Sequence, residues 1–390
     1  MKYINTEKLI IKSWCNTPEE GAITQAKNLA NLPFSFKQIC LMPDVHQGYG
    51  MPIGGVLACK DAIIPNAVGV DIGCSMLACR TSLQELDVER LKKIMGLIRE
   101  TVPVGFKHSD KPCPNNFMPK LIYTKIDMPY SIVCQEYESA RRQMGTLGGG
   151  NHFIEIQKGN DGFIWFMIHS GSRNLGKKVA DYYNNVAKEL NSKWYSNIPK
   201  EWDLAFLPLF SDEGQAYRAE MDYCVEFSYQ NKRSMKHHIM NAFEQIIPTC
   251  EFTEDVSIPH NYARLENHYG QNVVVHRKGA VSAKEGELGI IPGSQGTCSY
   301  IVKGKGNPES FMSCSHGAGR RMGRKEAIRS LDFKEEVAKL DARGIVHAIR
   351  NKDDLEEASG AYKDIDVVME EQKDLVDIVV KLEPMGVIKG

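Results

Sequence analysis

Apolar residues recur at three- and four-residue spacing over residues 83–101, LQELDVERLKKIMGLIRET, again over 130–144, and along 213–247. That period turns one face of a helix toward a core, so each segment predicts an α-helix. Short apolar runs rich in β-formers lie at 55–59, 153–156, 163–168, 272–276 and 298–303, bounded by glycine, proline or asparagine, and predict strands. A helix near 364–374 and a strand over 375–382 complete the pattern before the closing EPMGVIKG. Helices and strands mix without strict alternation, which predicts an α+β fold of mixed sheets with surrounding helices. No repeat, low-complexity tract or linker divides the sequence, so residues 1–390 read as a single domain.

The glycines sharpen this picture. They gather in GYGMPIGG (48–55), GTLGGGNH (145–152), HSGSRNLG (169–176), PGSQG (292–296) and SHGAGRRMG (315–323). Four of these five adjoin a strand-like run. Glycine-rich loops at strand ends are where a rigid scaffold presents chemistry, and several of them far apart in sequence predict one shared site.

Composition then limits the partners. With 48 Lys+Arg against 49 Asp+Glu the formal net charge is -1, so a nucleic-acid partner requires a local basic groove. No apolar run approaches the roughly 18 residues of a membrane span. The opening MKYINTEKLIIKSW has no apolar signal core. The 11 cysteines contain no Cys-x-x-Cys pair and predict free thiols in a reducing cytoplasm.

Within and between the glycine clusters lie the residues able to carry chemistry. VGVDIGCSM places Asp71 three residues before Cys74 among apolar neighbours, where an aspartate is costly unless paired or metal-bound. Cys74 taken alone reads first as a small buried hydrophobe, and with Asp71 beside it the two readings stand level. GGGNHFIE brings Asn151 and His152 to the start of a strand, with Glu155 three residues on, and FIWFMI ends at His169. His260 follows a turn-like Ile-Pro. Asp71, Cys74, His152, His169 and His260 together form a mixed O, S and N donor set. Ligand softness suggests zinc, and a thiolate is able to bridge two metals. MPDVHQGYG contributes Asp44 and His46, expected in a loop, with Asp44 either a general base or a group that orients His46. His108, His237, His238, His268 and His347 stand above no background, and His276 would line a phosphate groove or be structural. In FMSCSHGAGRRMGR (311–324), His316 sits among small residues ahead of Arg320, Arg321 and Arg324. Without Gly-Lys-Ser/Thr it is not a Walker loop.

Nine blocks, taken together, resemble the RtcB-type RNA ligases: PDVHQGYGMPIGG, GVDIGC, GGGNHFIE, HSGSR, HNY, HRKGA, PGS, SHGAGR and GVIKG. The resemblance runs from about residue 40 to the last residue. It implies a GTP- and Mn2+-dependent ligase that joins an RNA 3′-phosphate, or a 2′,3′-cyclic phosphate opened to it, to a 5′-hydroxyl, with an archease-type activator as a further partner. By resemblance His316 is the nucleophile that becomes guanylylated, and Asp44 is functionally important near the metals. One metal is held by Asp71, Cys74 and His152, and Cys74 bridges to a second completed by His169 and His260. Asn151, Glu155, Ser294, Ser299, Gly317, Ala318, Gly319, Tyr362 and Lys389 contact the guanine nucleotide, and Arg173, Arg320 and Arg324 hold RNA phosphate. Two stretches depart from the family pattern. Ser75 stands where glycine usually follows the metal cysteine, and YCVEFSYQNKRSM departs from the alanine-rich pattern around its Asn-Arg, with Lys232 intervening. The same ligands would also serve a two-metal phosphoesterase acting on cyclic phosphates or RNA ends, or survive in a non-catalytic RNA-binding paralogue.

Overall fold

The computed structural model describes residues 1–120, 131–347 and 349–390. Among these, the strands build two main sheets. One runs in the order Lys2–Ile4, Ile10–Ser13, Ser35–His46, Ile53–Cys59, Gln271–Lys278, Asn261–His268. The other runs Phe252–Pro259, Ser75–Thr81, Ile164–Ser170, Phe153–Gly159, Val376–Lys389, Ser299–Gly304, Leu288–Ile291.

Alternation along the strands explains how the layers stack, because successive side chains point to opposite faces. Cys40 and Met42, Val56 and Ala58, and Val273 and Val275 from the first sheet share one buried cluster with Met76 and Ala78, Trp165 and Met167, and Val256 and Ile258 from the second. The intervening residues face outward. Ile39, Leu41, Leu57 and Cys59 pack against the helix Glu20–Ala30. Leu77, Ile154, Ile156, Phe166 and Ile168 pack against the helices Val88–Thr101 and Asp212–Ile246. The result is a helix–sheet–sheet–helix sandwich, an α+β architecture as expected. Phe166, Phe243 and Phe252 lock the second sheet to the long helix, with ring centroids 6.0–6.2 Å apart. Such pairs contribute about 0.5–1.5 kcal/mol each beyond their buried area.

The long helix matches the expected 213–247 closely. Its Ser211 cap accepts from the Gly214 amide, with Asp212 and Glu213 in the first turn. The helix expected over 83–101 begins later, at Val88, because Asp87 caps it by accepting from the Arg90 amide. The helix expected over 130–144 is present as Ile132–Gln143, and residue 130 lies outside the described residues.

Two differences bear on function. Asp44 and His46 are not in a loop: they end the long strand Ser35–His46. A register shift between Leu41 and His46 accommodates Pro43, whose missing N–H cannot join a regular ladder. The closing strand also runs on from 382 to Lys389, with a bulge between Pro384 and Gly386 absorbing the residues that look like a stop. A 21-residue helix, Arg173–Lys193, follows directly from the HSGSR loop. No helix among the described residues is long and apolar enough to cross a membrane.

Candidate active site

Antiparallel pairing gathers the chemistry at one end of the second sheet. Phe153 and Met76 both pair with His169, and Ser75 pairs with Pro259. His152, Cys74 and His260 therefore flank the same end of three neighbouring strands, next to His169 on a fourth. Lys389 pairs with Phe153 and arrives at that end too. Gly73 makes the approach to Cys74 feasible. Its φ of +73° suits glycine, and a Cβ there would meet the Val225 backbone at 2.9 Å.

Cys74 Sγ lies 3.2 Å from His169 Nε2 and 3.5 Å from His152 Nε2, and the three ligand atoms fall within 4.8 Å of one another. Asp71 Oδ2 is 3.6 Å from His152 Nε2. Backbone carbonyls hold the far ring nitrogens: Leu147 O faces His152 Nδ1 at 3.0 Å, and Asn151 O faces His169 Nδ1 at 3.1 Å. This second ring of contacts aims both Nε2 atoms at the thiol, as in imidazole–metal sites. The His260 ring stacks 5.2 Å from His169, and its buried Nδ1 has no hydrogen-bond partner. Burial holds the His169 and His260 imidazoles well below their ordinary pKa, and neighbouring histidines push them further down. They are neutral and available as ligands. Burial, reinforced by Asp71, pushes the Cys74 thiol well above its ordinary value, so in the metal-free site it keeps a proton that a cation would displace. An orphaned buried nitrogen, two imidazoles aimed at a thiol and an adjacent carboxylate fit a transition-metal centre.

His316 follows directly, with its ring 4.9 Å from His260. Asp44, fully buried, accepts from His316 Nδ1 at 2.6 Å and from the His316 and Gly317 amides at 3.0 and 3.3 Å. Burial alone would raise the Asp44 carboxyl, but His316, Lys363 and His46 carry it below its ordinary value. A carboxylate accepts only from an Nδ1–H, which leaves Nε2 as the ring nitrogen that Asp44 does not engage. Gly319 is required for this closeness, since a Cβ on it, at φ +75°, would run into the Asp44 backbone.

Beside His316 lies a second polar cluster around Glu357. This buried carboxylate takes Arg320 at 3.1 Å, Arg324 at 3.2 Å, Lys389 at 3.8 Å and the Tyr362 hydroxyl. Arg320 also donates to Glu356 O and Met322 O and lies 5.1 Å over the Tyr362 ring. Three cations about one carboxylate leave a positive surplus. Arg324 is half-exposed and passes close to Gly150. Arg173 opens its helix and donates to Thr146 Oγ1, with its guanidinium 3.5 Å from His152 Nδ1. Glu155 sits inside the strand Phe153–Gly159, where burial pushes its carboxyl up to about 8 against a hydrogen bond from Gln157 and the charge of Lys389. Ser299 accepts from the Gly293 amide and braces the turn in which Ser294 bonds Thr297.

Three residues of the site carry no sequence signal on their own. Asn231, on the long helix, accepts from the Gly145 and Thr146 amides and donates to Thr146 O, Ser170 Oγ and Gly171 O. It thereby ties the loops before His152 and after His169. Lys232 and Glu357 acquire their partners only in the folded chain. His276, by contrast, is structural: its Nε2 accepts from the Ile64 amide, and the ring is fully buried.

The sequence matches the family model described as "tRNA-splicing ligase RtcB" over residues 25–127 and 126–390. It is 37% identical to the RNA-splicing ligase RtcB of Escherichia coli K12, covering 99% of each chain. It is 31% identical to the tRNA-splicing ligase RtcB of Thermococcus kodakarensis, over 95% of this chain and 92% of that one. A further relative, RNA-splicing ligase RtcB homolog 2 of Entamoeba dispar, is 31% identical over 95% of this chain and 84% of its own.

Proposed function

The chain belongs to the RtcB family, and from that premise we propose that it is a cytoplasmic RNA ligase that uses GTP and Mn2+ to join 3′-phosphate or 2′,3′-cyclic phosphate ends to 5′-hydroxyl ends in tRNA splicing or RNA repair, acting as one ligase domain with an archease-type activator. The observation that carries the reading is the 2.6 Å contact of Asp44 with His316 Nδ1 beside the cysteine–histidine cluster. A phosphoesterase would use the same ligands but has no need of a histidine fixed in this way.

The ends are joined in three transfers. His316 Nε2 attacks the α-phosphorus of GTP, a P–N bond forms and pyrophosphate leaves. Asp44 holds the Nδ1 proton throughout and stabilises the cationic ring. An oxygen of the RNA 3′-phosphate then attacks the same phosphorus and releases His316, giving an RNA-3′-ppG end. The 5′-hydroxyl attacks the terminal RNA phosphorus, the phosphodiester forms, and GMP departs with the hydroxyl proton lost to solvent. A cyclic phosphate takes up water first. Asp71, Cys74, His152, His169 and His260 would hold the metal ions. When bound, these neutralise charge on the phosphate oxygens. Asn151, Ser294, Ser299, Gly317, Ala318, Gly319, Tyr362 and Lys389 would surround the nucleotide, and Arg173, Arg320 and Arg324 the RNA phosphates.

Two expectations follow from named contacts. Asp44→Asn keeps the size of the side chain but presents the wrong hydrogen-bond pattern to Nδ1. Covalent labelling by radioactive GTP should slow by on the order of 10³- to 10⁴-fold while the fold and metal content stay intact. Glu155 should couple binding to pH. Guanine offers only donors at N1 and N2, so the carboxyl must be ionised to accept them, yet in the free site it is protonated up to about pH 8. GTP affinity should rise with pH until that point and then level off, with proton release on binding below it. Calorimetry in buffers of different ionisation enthalpy measures that proton directly.

A further inference from the structure

Lys232 is only 1% exposed, in the middle of the helix Asp212–Ile246. Its ammonium donates to Ser228 O at 2.9 Å, Ser228 Oγ at 3.0 Å and Ser75 Oγ, and the two hydroxyls touch at 2.7 Å. Those contacts use all three donors, and every acceptor is neutral. No carboxylate lies within ion-pair distance among the described residues. A buried ammonium without a counter-charge costs several kcal/mol, enough that such groups are usually paired or neutralised. Burial accordingly pulls Lys232 down to about 7, opposed first by Cys74 and then by Glu226. Glu226 is exposed, and it accepts from Gln230. Inside the protein Lys232 thus lies behind Cys74, one residue from its hydrogen-bond partner Ser75, and that thiol becomes charged only when a cation displaces its proton.

Lys232 touches the residue that directly follows Cys74. Resting on the metal-centre reading above, we propose that Lys232 is a built-in counter-ion for the metal-bound Cys74 thiolate, a positioning residue that raises the metal affinity of the centre. A Cys74 thiolate that holds metal would form in a buried place beside Asp71, a second negative group. Arg173 faces the same pair from the start of its helix and supplies charge from the ligand side. Lys232 supplies it from behind the sheet, held by Ser75 and Ser228 so that it cannot reach the metals itself.

The test uses cobalt(II) alone as probe on the metal-free protein, read by the thiolate-to-cobalt charge-transfer absorption during titration. Lys232→Met removes charge and hydrogen bonds. Lys232→Gln removes the charge but keeps a donor for Ser75. Both should weaken cobalt binding by about 10- to 100-fold, the range over which outer-shell partners act. The melting temperature of the metal-free Lys232→Met protein should hold or rise, since an uncompensated buried charge has gone. Wild-type cobalt affinity in either folded variant overturns the proposal. So does recovery of affinity by Lys232→Gln together with a lowered melting temperature for Lys232→Met, which is what a purely structural lysine would give. A wild-type protein without the charge-transfer band would instead refute the metal centre itself.

Discussion

His316→Ala should abolish sealing of 3′-phosphate RNA, by about 10⁴-fold or more, while RNA supplied with a ready-made 3′-ppG end should still be joined. The split follows from the roles assigned above. The imidazole forms and loses one P–N bond, and the final transfer, from an activated RNA end to a 5′-hydroxyl, does not involve it. The substitution is mild for the fold, because the His316 side chain remains partly exposed and its ring's only hydrogen bond among the described residues is to Asp44. Loss of joining with both substrates, in a protein that still binds metal, would mean that His316 serves the centre as a whole. Unchanged sealing of the 3′-phosphate substrate would remove it from the chemistry.

Cys74→Ala should reduce metal content to background for both ions rather than one. The thiol touches both His152 Nε2 and His169 Nε2, so it stands where the two halves of the donor set meet. Without it each half retains only two donors: Asp71 with His152, and His169 with His260. A thiol-to-methyl change in a close-packed interior is small, so the fold should persist and the loss should be visible by elemental analysis of a folded protein. Retention of one full equivalent would show that Cys74 serves a single ion and that the bridging assignment is wrong. His152→Ala offers the contrast: it should weaken one ion far more than the other.

His152 and His169 were legible because each borders a glycine cluster at a strand end, and antiparallel pairing brings such ends together, whereas Asp71, Cys74 and His260 lie outside those clusters. Asp44 was legible as a residue of interest but not in its role. The sequence pairs it by proximity with His46, whereas the chain carries it 272 positions along to His316. Its strand was hidden by Pro43, which argues against a ladder unless the register shift is known. The helix Arg173–Lys193 was hidden by its polar opening and by Gly176, both poor helix signals. Its stability comes instead from Leu175, Val179, Tyr183 and Ala187 packed in the core. Asn231 and Glu357 were illegible, and Lys232 stood out only as a departure from the resemblance without a role, for a common reason. A lysine, an asparagine and a glutamate on helices usually face water, and only burial against particular loops turns them into parts of a site.

The covalent bond between His316 and GMP is open to direct detection. Wild-type protein loaded with Mn2+ should be incubated with α-labelled GTP, denatured and digested, and the label located. A label should appear on the peptide containing residues 311–324, released by acid and spared by alkali, as for a phosphoramidate on imidazole. A metal-loaded protein that takes up no label, or one whose label maps elsewhere, would contradict it.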